Sequence, residues 1–172
     1  MKEEEMPGKE KTVAGEMIQL VNFRLRDEEF GVDISSVREI IRVGEITHIP
    51  EAPSFVIGVT NLRGQIVAVM DLARQFGLAS QEKLPASARI VVTEVKDQTV
   101  GILVDEVPGV SKIPAENIEP APDLIQTEVK KDYIKGVGKL EDGLVIILDF
   151  EKILAPDELE ELAEATEGKQ NL

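Results

Sequence analysis

Two aspartates, Asp71 and Asp149, close two near-copies of one stretch, and paired carboxylates at matching positions can do acid–base work or hold a divalent ion. Each also stands where a strand hands over to a helical turn. There its side chain can accept hydrogen bonds from free backbone N–H groups, and this N-cap role is the favoured reading. His48 is the only histidine and there is no cysteine, so no histidine-plus-partner metal set, thiolate site or histidine-activated nucleophile can be assembled. Gly136-Val137-Gly138-Lys139 superficially matches a phosphate loop but lacks its glycine-to-lysine spacing, and a close backbone approach or bulge inside a strand accounts better for the glycines. Asp105-Glu106 reads as acids at a solvated strand end. No catalytic residue, metal ligand or cofactor is assigned, and the expectation is a protein that is not an enzyme.

Asn61-Leu62-Arg63-Gly64 is different, because the second copy changes it to Lys139-Leu140-Glu141-Asp142. The leucine is kept while the polar chemistry diverges, so the fold needs only the leucine. Asn and Gly alone would satisfy a hairpin tip, since both tolerate positive φ. An arginine on a rigid tip is also suited to bidentate recognition of a carboxylate or carbonyl pair, and arginine is enriched at interface hot spots.

The elements that position these residues are strands. Phe55 to Leu72 has β-branched apolar runs on either side of the polar tip and reads as a β-hairpin. Shifted by 78 positions, Phe55 to Phe76 lies without gaps on Tyr133 to Leu154, pairing Gly58 with Gly136, Leu62 with Leu140 and Asp71 with Asp149. A second match, shifted by 70, lays Val21 to Val37 on Val91 to Val107. The period is too long for a solenoid, so the chain reads as a duplicated small barrel or sandwich. Two further hairpins are expected, Ile18 to Ile34 and Arg89 to Val107. Val37, Ile40 and Ile41 have helix-like spacing for one turn, and Pro108-Gly109 reads as a bend or bulge before a short strand, Val110 to Ile113. Ala115 to Lys131 is expected to be a long functional loop, and Asp157 to Glu164 a C-terminal helix.

With 172 residues, the chain suits one domain with a sizeable core. Apolar residues make up 42% but aromatics only 3%, so Val, Ile and Leu on pleated surfaces must fill that core. The net charge of −14, from 33 acidic against 19 basic residues, opposes attraction to nucleic acid or anionic lipid. The start has no apolar secretion core and no run is long enough to insert into a membrane, so a cytoplasmic protein is expected. Residues 1–16 read as a disordered lead-in.

Four stretches in order, FGVDISSVREII, FVIGVTNLRGQIVAVMDL, VGILVDEVPGV and YIKGVGKLEDGLVIILDFEKIL, resemble the CheW-like coupling proteins of prokaryotic chemotaxis. The resemblance covers Met17 to Leu154. It implies an all-β fold: two five-stranded SH3-like β-barrels side by side with a hydrophobic seam, with short helical turns and, over 155–172, the C-terminal helix and tail. The first barrel would span about 17–78 and the second about 88–148, with closing segments exchanged between them. It also implies a non-catalytic adaptor that joins the helical hairpin of a chemoreceptor's cytoplasmic tip to the regulatory domain of the histidine kinase CheA, and that is a monomer in isolation. By motif, Arg63, Glu39, Val37, Gly58 and Asn61 match receptor-binding positions, with Arg63 and Glu39 flanking an apolar groove. Val107, Pro108 and Gly109 match a kinase-binding bend, and Leu124 a second coupler or kinase contact used in rings. The competing readings are a kinase's regulatory domain standing alone and a small metal-dependent barrel enzyme using Asp71 and Asp149.

Overall fold

The computed structural model describes residues 16–52, 54–78, 83–121 and 131–154. Among the described residues eleven strands run in chain order: β1 Met17–Leu25, β2 Glu28–Asp33, β3 Val37–Arg42, β4 Val56–Leu62, β5 Gln65–Asp71, β6 Arg89–Val95, β7 Gln98–Val104, β8 Glu106–Pro114, β9 Ile118–Glu119, β10 Ile134–Leu140 and β11 Gly143–Leu148. Two short helices, α1 Leu72–Gln75 and α2 Phe150–Ile153, follow β5 and β11. The expected hairpins are all present. Val37, Ile40 and Ile41, expected on a helical turn, lie on strand β3, and the turn falls earlier as a 3₁₀ helix over Ile34–Ser36. Pairing of β3 with β6 overrides the local spacing, with a bulge at Arg38 between Val37 and Glu39. Of the two readings of Pro108-Gly109, the bulge holds: Val107 and Pro108 together oppose Phe23 alone, between the Arg24–Glu106 and Asn22–Gly109 pairs, inside the continuous strand β8.

The strands form a six-stranded sheet, β8-β1-β2-β11-β10-β9, and a five-stranded sheet, β3-β6-β7-β5-β4. The sixth strand is only the two-residue β9, paired with Val137 and Gly138 of β10. Neither sheet is one half of the sequence. The leading hairpin β1–β2 joins β8, β10 and β11, while its copy β6–β7 joins β3, β4 and β5, so each barrel borrows its first hairpin from the other half. Cuts at 17–78 and 88–148 therefore do not describe the barrels. Parallel pairs make the exchange: β2 with β11 and β7 with β5.

The exchange explains why β6 and β7 are buried at nearly every position. Val91, Val95, Val100, Ile102 and Val104 pack into the largest core cluster with Val21, Phe23, Leu25, Phe30 and Val32. Intervening residues Ile90, Val92 and Leu103 fill the five-stranded barrel, and Leu20 fills the other with Ile113, Val145 and Ile147. The β6–β7 hairpin is thus buried on both faces, one inside its barrel and one in the seam, while β1–β2 is buried chiefly in the seam, where Phe23 and Phe30 stack at 5.9 Å between ring centroids. At about 1.5–3 kcal/mol for a fully buried aliphatic or phenyl side chain, the seam is the principal stabilising contact between barrels. Asp105, expected at a solvated strand end, is buried. Its carboxylate accepts from the Arg26 backbone N–H (2.6 Å) and from the Arg26 guanidinium (3.0 and 3.1 Å), pinning the β1–β2 turn to the start of β8.

Candidate functional site

Arg63 and Gly64 form the two-residue turn of the β4–β5 hairpin, with φ of +51° and +87°. Both central residues of such a turn need positive φ, which suits the twist of the flanking strands. The Asn61 side-chain carbonyl accepts from the Gly64 N–H at 2.8 Å and fixes the turn. Leu62 tucks against the filling of the five-stranded barrel, and its counterpart Leu140 does the same in the other barrel. That is the physical reason the leucine is kept while its neighbours diverge.

Held this way, Arg63 reaches across to β3 and grips Glu39 with both guanidinium nitrogens, one contact being 3.0 Å and the other shorter. The pair is open to solvent, with the Arg63 side chain 70% exposed and that of Glu39 30%. Hydrogen bonding from Arg63 holds the Glu39 carboxyl below its usual value of 4.5, and Glu39 in turn raises Arg63. The two charges therefore do not stand apart across an apolar groove; they close on each other. Beside them lies a small hollow of about 150 Å3 lined by Arg38, Glu39, Arg63, Gln65 and Thr99, with Leu62 and Val92 as its only apolar walls. Arg38 adds a longer contact to Glu94 at 3.7 Å.

The other motif-matched residues fall in three places. Val37 begins β3 and packs half-buried against the seam core, two residues from Glu39. Asn61 turns the opposite way and lines a separate hollow of about 370 Å3 with Ile41, Gly44 and Thr47. Gly58 is buried where the chain after β3 crosses β4 through a Thr47–Val59 bridge, and a Cβ there would stand 2.2 Å from the Thr47 carbonyl oxygen. Its role is to let the barrel close, so the structure does not bring it to Arg63. Gly136, its counterpart, sits at the matching bulge against Ile118 and Glu119.

Val107, Pro108 and Gly109 occupy on β8 the places that Val37, Arg38 and Glu39 occupy on β3, 70 positions apart. Both triplets surround equivalent bulges, and Val37 and Val107 both pack against the seam. Pro108 is exposed, and nothing lies within 4 Å of a Cβ at Gly109. Arg38 and Thr99 join the Arg63 hollow without having been marked by the sequence. Leu124, residues 1–15 and Asp157 to Glu164 lie outside the described residues.

Asp71 and Asp149 are both spent on capping. The Asp71 carboxylate accepts from the Ala73 N–H at 3.1 Å and that of Asp149 from the Glu151 N–H at 3.0 Å. Among the described residues no helix is long and apolar enough to cross a membrane.

A family model described as CheW-like domain matches residues 19–158. The chain is 37% identical over 152 residues to chemotaxis protein CheW of Klebsiella aerogenes, covering 86% of this chain and 89% of that one. It is 33% identical over 154 residues to chemotaxis protein CheW of Treponema pallidum, covering 88% and 90%. The crystal structure of the scaffolding protein TtCheW from Thermoanaerobacter tengcongensis superposes with a TM-score of 0.74 at 33% identity, covering 83% of this chain and 91% of that one. By its doubled barrels, its tip motif and these likenesses, the chain belongs to the CheW-like family and is a chemotaxis coupling adaptor.

Proposed function

We propose that the protein is a non-catalytic cytoplasmic coupler that binds the helical hairpin of a chemoreceptor tip through the Arg63–Glu39 side of the five-stranded barrel. The regulatory domain of CheA is its second partner, met through Val107 to Gly109 on the six-stranded barrel. The observation that carries this reading is the exposed bidentate pair at a rigid hairpin tip, with Val37 and Arg38 beside it on β3. A charge pair so presented fixes register for an incoming helix, while a few apolar contacts supply the affinity. The matching bulge on β8 offers the second partner an equivalent foothold in a different polar setting. In isolation the protein is a monomer, and Leu124 is a further contact within a ring.

Arg63→Ala is expected to keep the fold and thermal midpoint while weakening binding to a purified receptor-tip fragment by about 2 kcal/mol, the scale of an interface hot spot. Unchanged affinity by isothermal titration would remove the receptor face from Arg63. Because Val107 packs into the core, the kinase face is better probed at Pro108: Pro108→Arg should weaken CheA regulatory-domain binding and spare the receptor fragment. Equal loss of both would show that the faces are not separate.

A further inference from the structure

The hollow beside Arg63 has a counterpart in the other barrel. Leu62, Arg63 and Gln65 correspond to Leu140, Glu141 and Gly143, and Val92 and Thr99 to Asn22 and Glu29. Those five counterparts line a hollow of about 820 Å3 between β8 and the β10–β11 tip, against about 150 Å3 beside Arg63. The difference has a direct cause. Gly109 replaces Glu39 and Glu141 replaces Arg63, so among the described residues no ion pair ties this tip to β8. The flank stays open.

Three features say what would fill it. Among the described residues β8 pairs with β1 alone, so its backbone edge toward the hollow is free to template another strand. The floor is polar, with Ser111 Oγ 3.2 Å from Asn22 Oδ1 and Asn117 nearby, whereas the exposed Leu144 supplies an apolar wall at the tip. Around it Glu29, Glu141 and Asp142 have no ion-pair partner among the described residues, while Lys139 is committed to Glu119 and Lys112 is the single remaining cation. A helix about 10 Å across needs an apolar trough; a strand edge above a polar floor suits an extended chain whose alternate side chains point down and out.

We propose that this open flank of the six-stranded barrel is a docking site for an extended segment of a protein partner carrying basic side chains. Its backbone pairs with β8, its basic side chains meet Glu29, Glu141 and Asp142, and an apolar side chain packs on Leu144. The volume falls in the range of about 300–1,000 Å3 typical of ligand sites. The site goes beyond the receptor and kinase faces, since it needs neither Arg63 nor the Val107–Gly109 stretch.

The full chain, ¹⁵N-labelled, is titrated with the synthetic peptide acetyl-Thr-Val-Arg-Val-Lys-Val-Thr-amide and with a control in which Glu replaces its Arg and Lys. Amide shifts confined to 110–114 and 139–144, from the basic peptide alone, are expected. The double variant E141R/D142K and the variant Leu144→Ser change exposed residues, so each keeps the thermal midpoint and weakens binding about tenfold or more. No shifts at millimolar peptide, shifts spread elsewhere, equal binding by both variants, or a helix-stapled peptide of the same charge binding there in preference, would each overturn the proposal.

Discussion

Arg63 sits in the left-handed region at φ +51° and still gives both nitrogens to Glu39, so turn strain and ion pair are held in one residue. Glu39 titrates below 4.5 because Arg63 bonds its charged form. A depressed carboxyl contributes stability that is complete above the unfolded value and lost as pH falls through the folded one. The clasp is therefore closed at neutral pH and opens only in acid below 4.5. In Arg63→Ala the Glu39 carboxyl should titrate back toward 4.5, read from its ¹³C chemical shift, and an unmoved midpoint would mean that the pair is not formed in solution. Gly58 makes the opposite kind of demand. With a Cβ only 2.2 Å from Thr47 O, Gly58→Ala should cost about 2–4 kcal/mol in denaturant unfolding, whereas Gly109→Ala, in open space, should fall within about 0.5 kcal/mol.

At the level of elements, one device is used twice with different chemistry. Bulges on β3 and β8 face equivalent partners, yet one presents Arg38 and Glu39 and the other Pro108 and Gly109. The geometry is common to both barrels; the partner preference lies in the side chains. The short helices behave as the sequence implies, each started by an aspartate whose carboxylate accepts from the N–H of the second helical residue, Ala73 or Glu151. Asp71→Ala and Asp149→Ala should each lose about 1 kcal/mol, measured by urea unfolding, with no change in divalent-ion binding. A large, metal-dependent loss would revive the carboxylate-pair reading.

For the whole molecule the reciprocal loan of hairpins is decisive. Because β1–β2 belongs to the barrel of β8, β10 and β11, and β6–β7 to that of β3, β4 and β5, neither barrel has all its strands without the other half of the chain. Calorimetry should therefore give one transition, with equal calorimetric and van't Hoff enthalpies. Phe30→Ala, in the seam, should lower stability by about 3–5 kcal/mol and melt both barrels together. Two resolved transitions would show that the seam is weaker than its packing implies.

The sequence by itself determined the duplication, the four hairpins, the aspartate caps, the kept leucine and the family, since each rests on local pattern or on identity between aligned stretches. Only the tertiary structure decided that the exchanged segments are the leading hairpins, that β3 is a strand, that Asp105 is buried against Arg26, and that Arg63 is closed on Glu39. Strand order and ion pairing across sheets depend on residues far apart in the chain. Alternation along one strand reports which face is buried, but not what buries it. The unbroken apolar run in β6 and β7 was therefore readable as a strand, while the second sheet against which it lies was not.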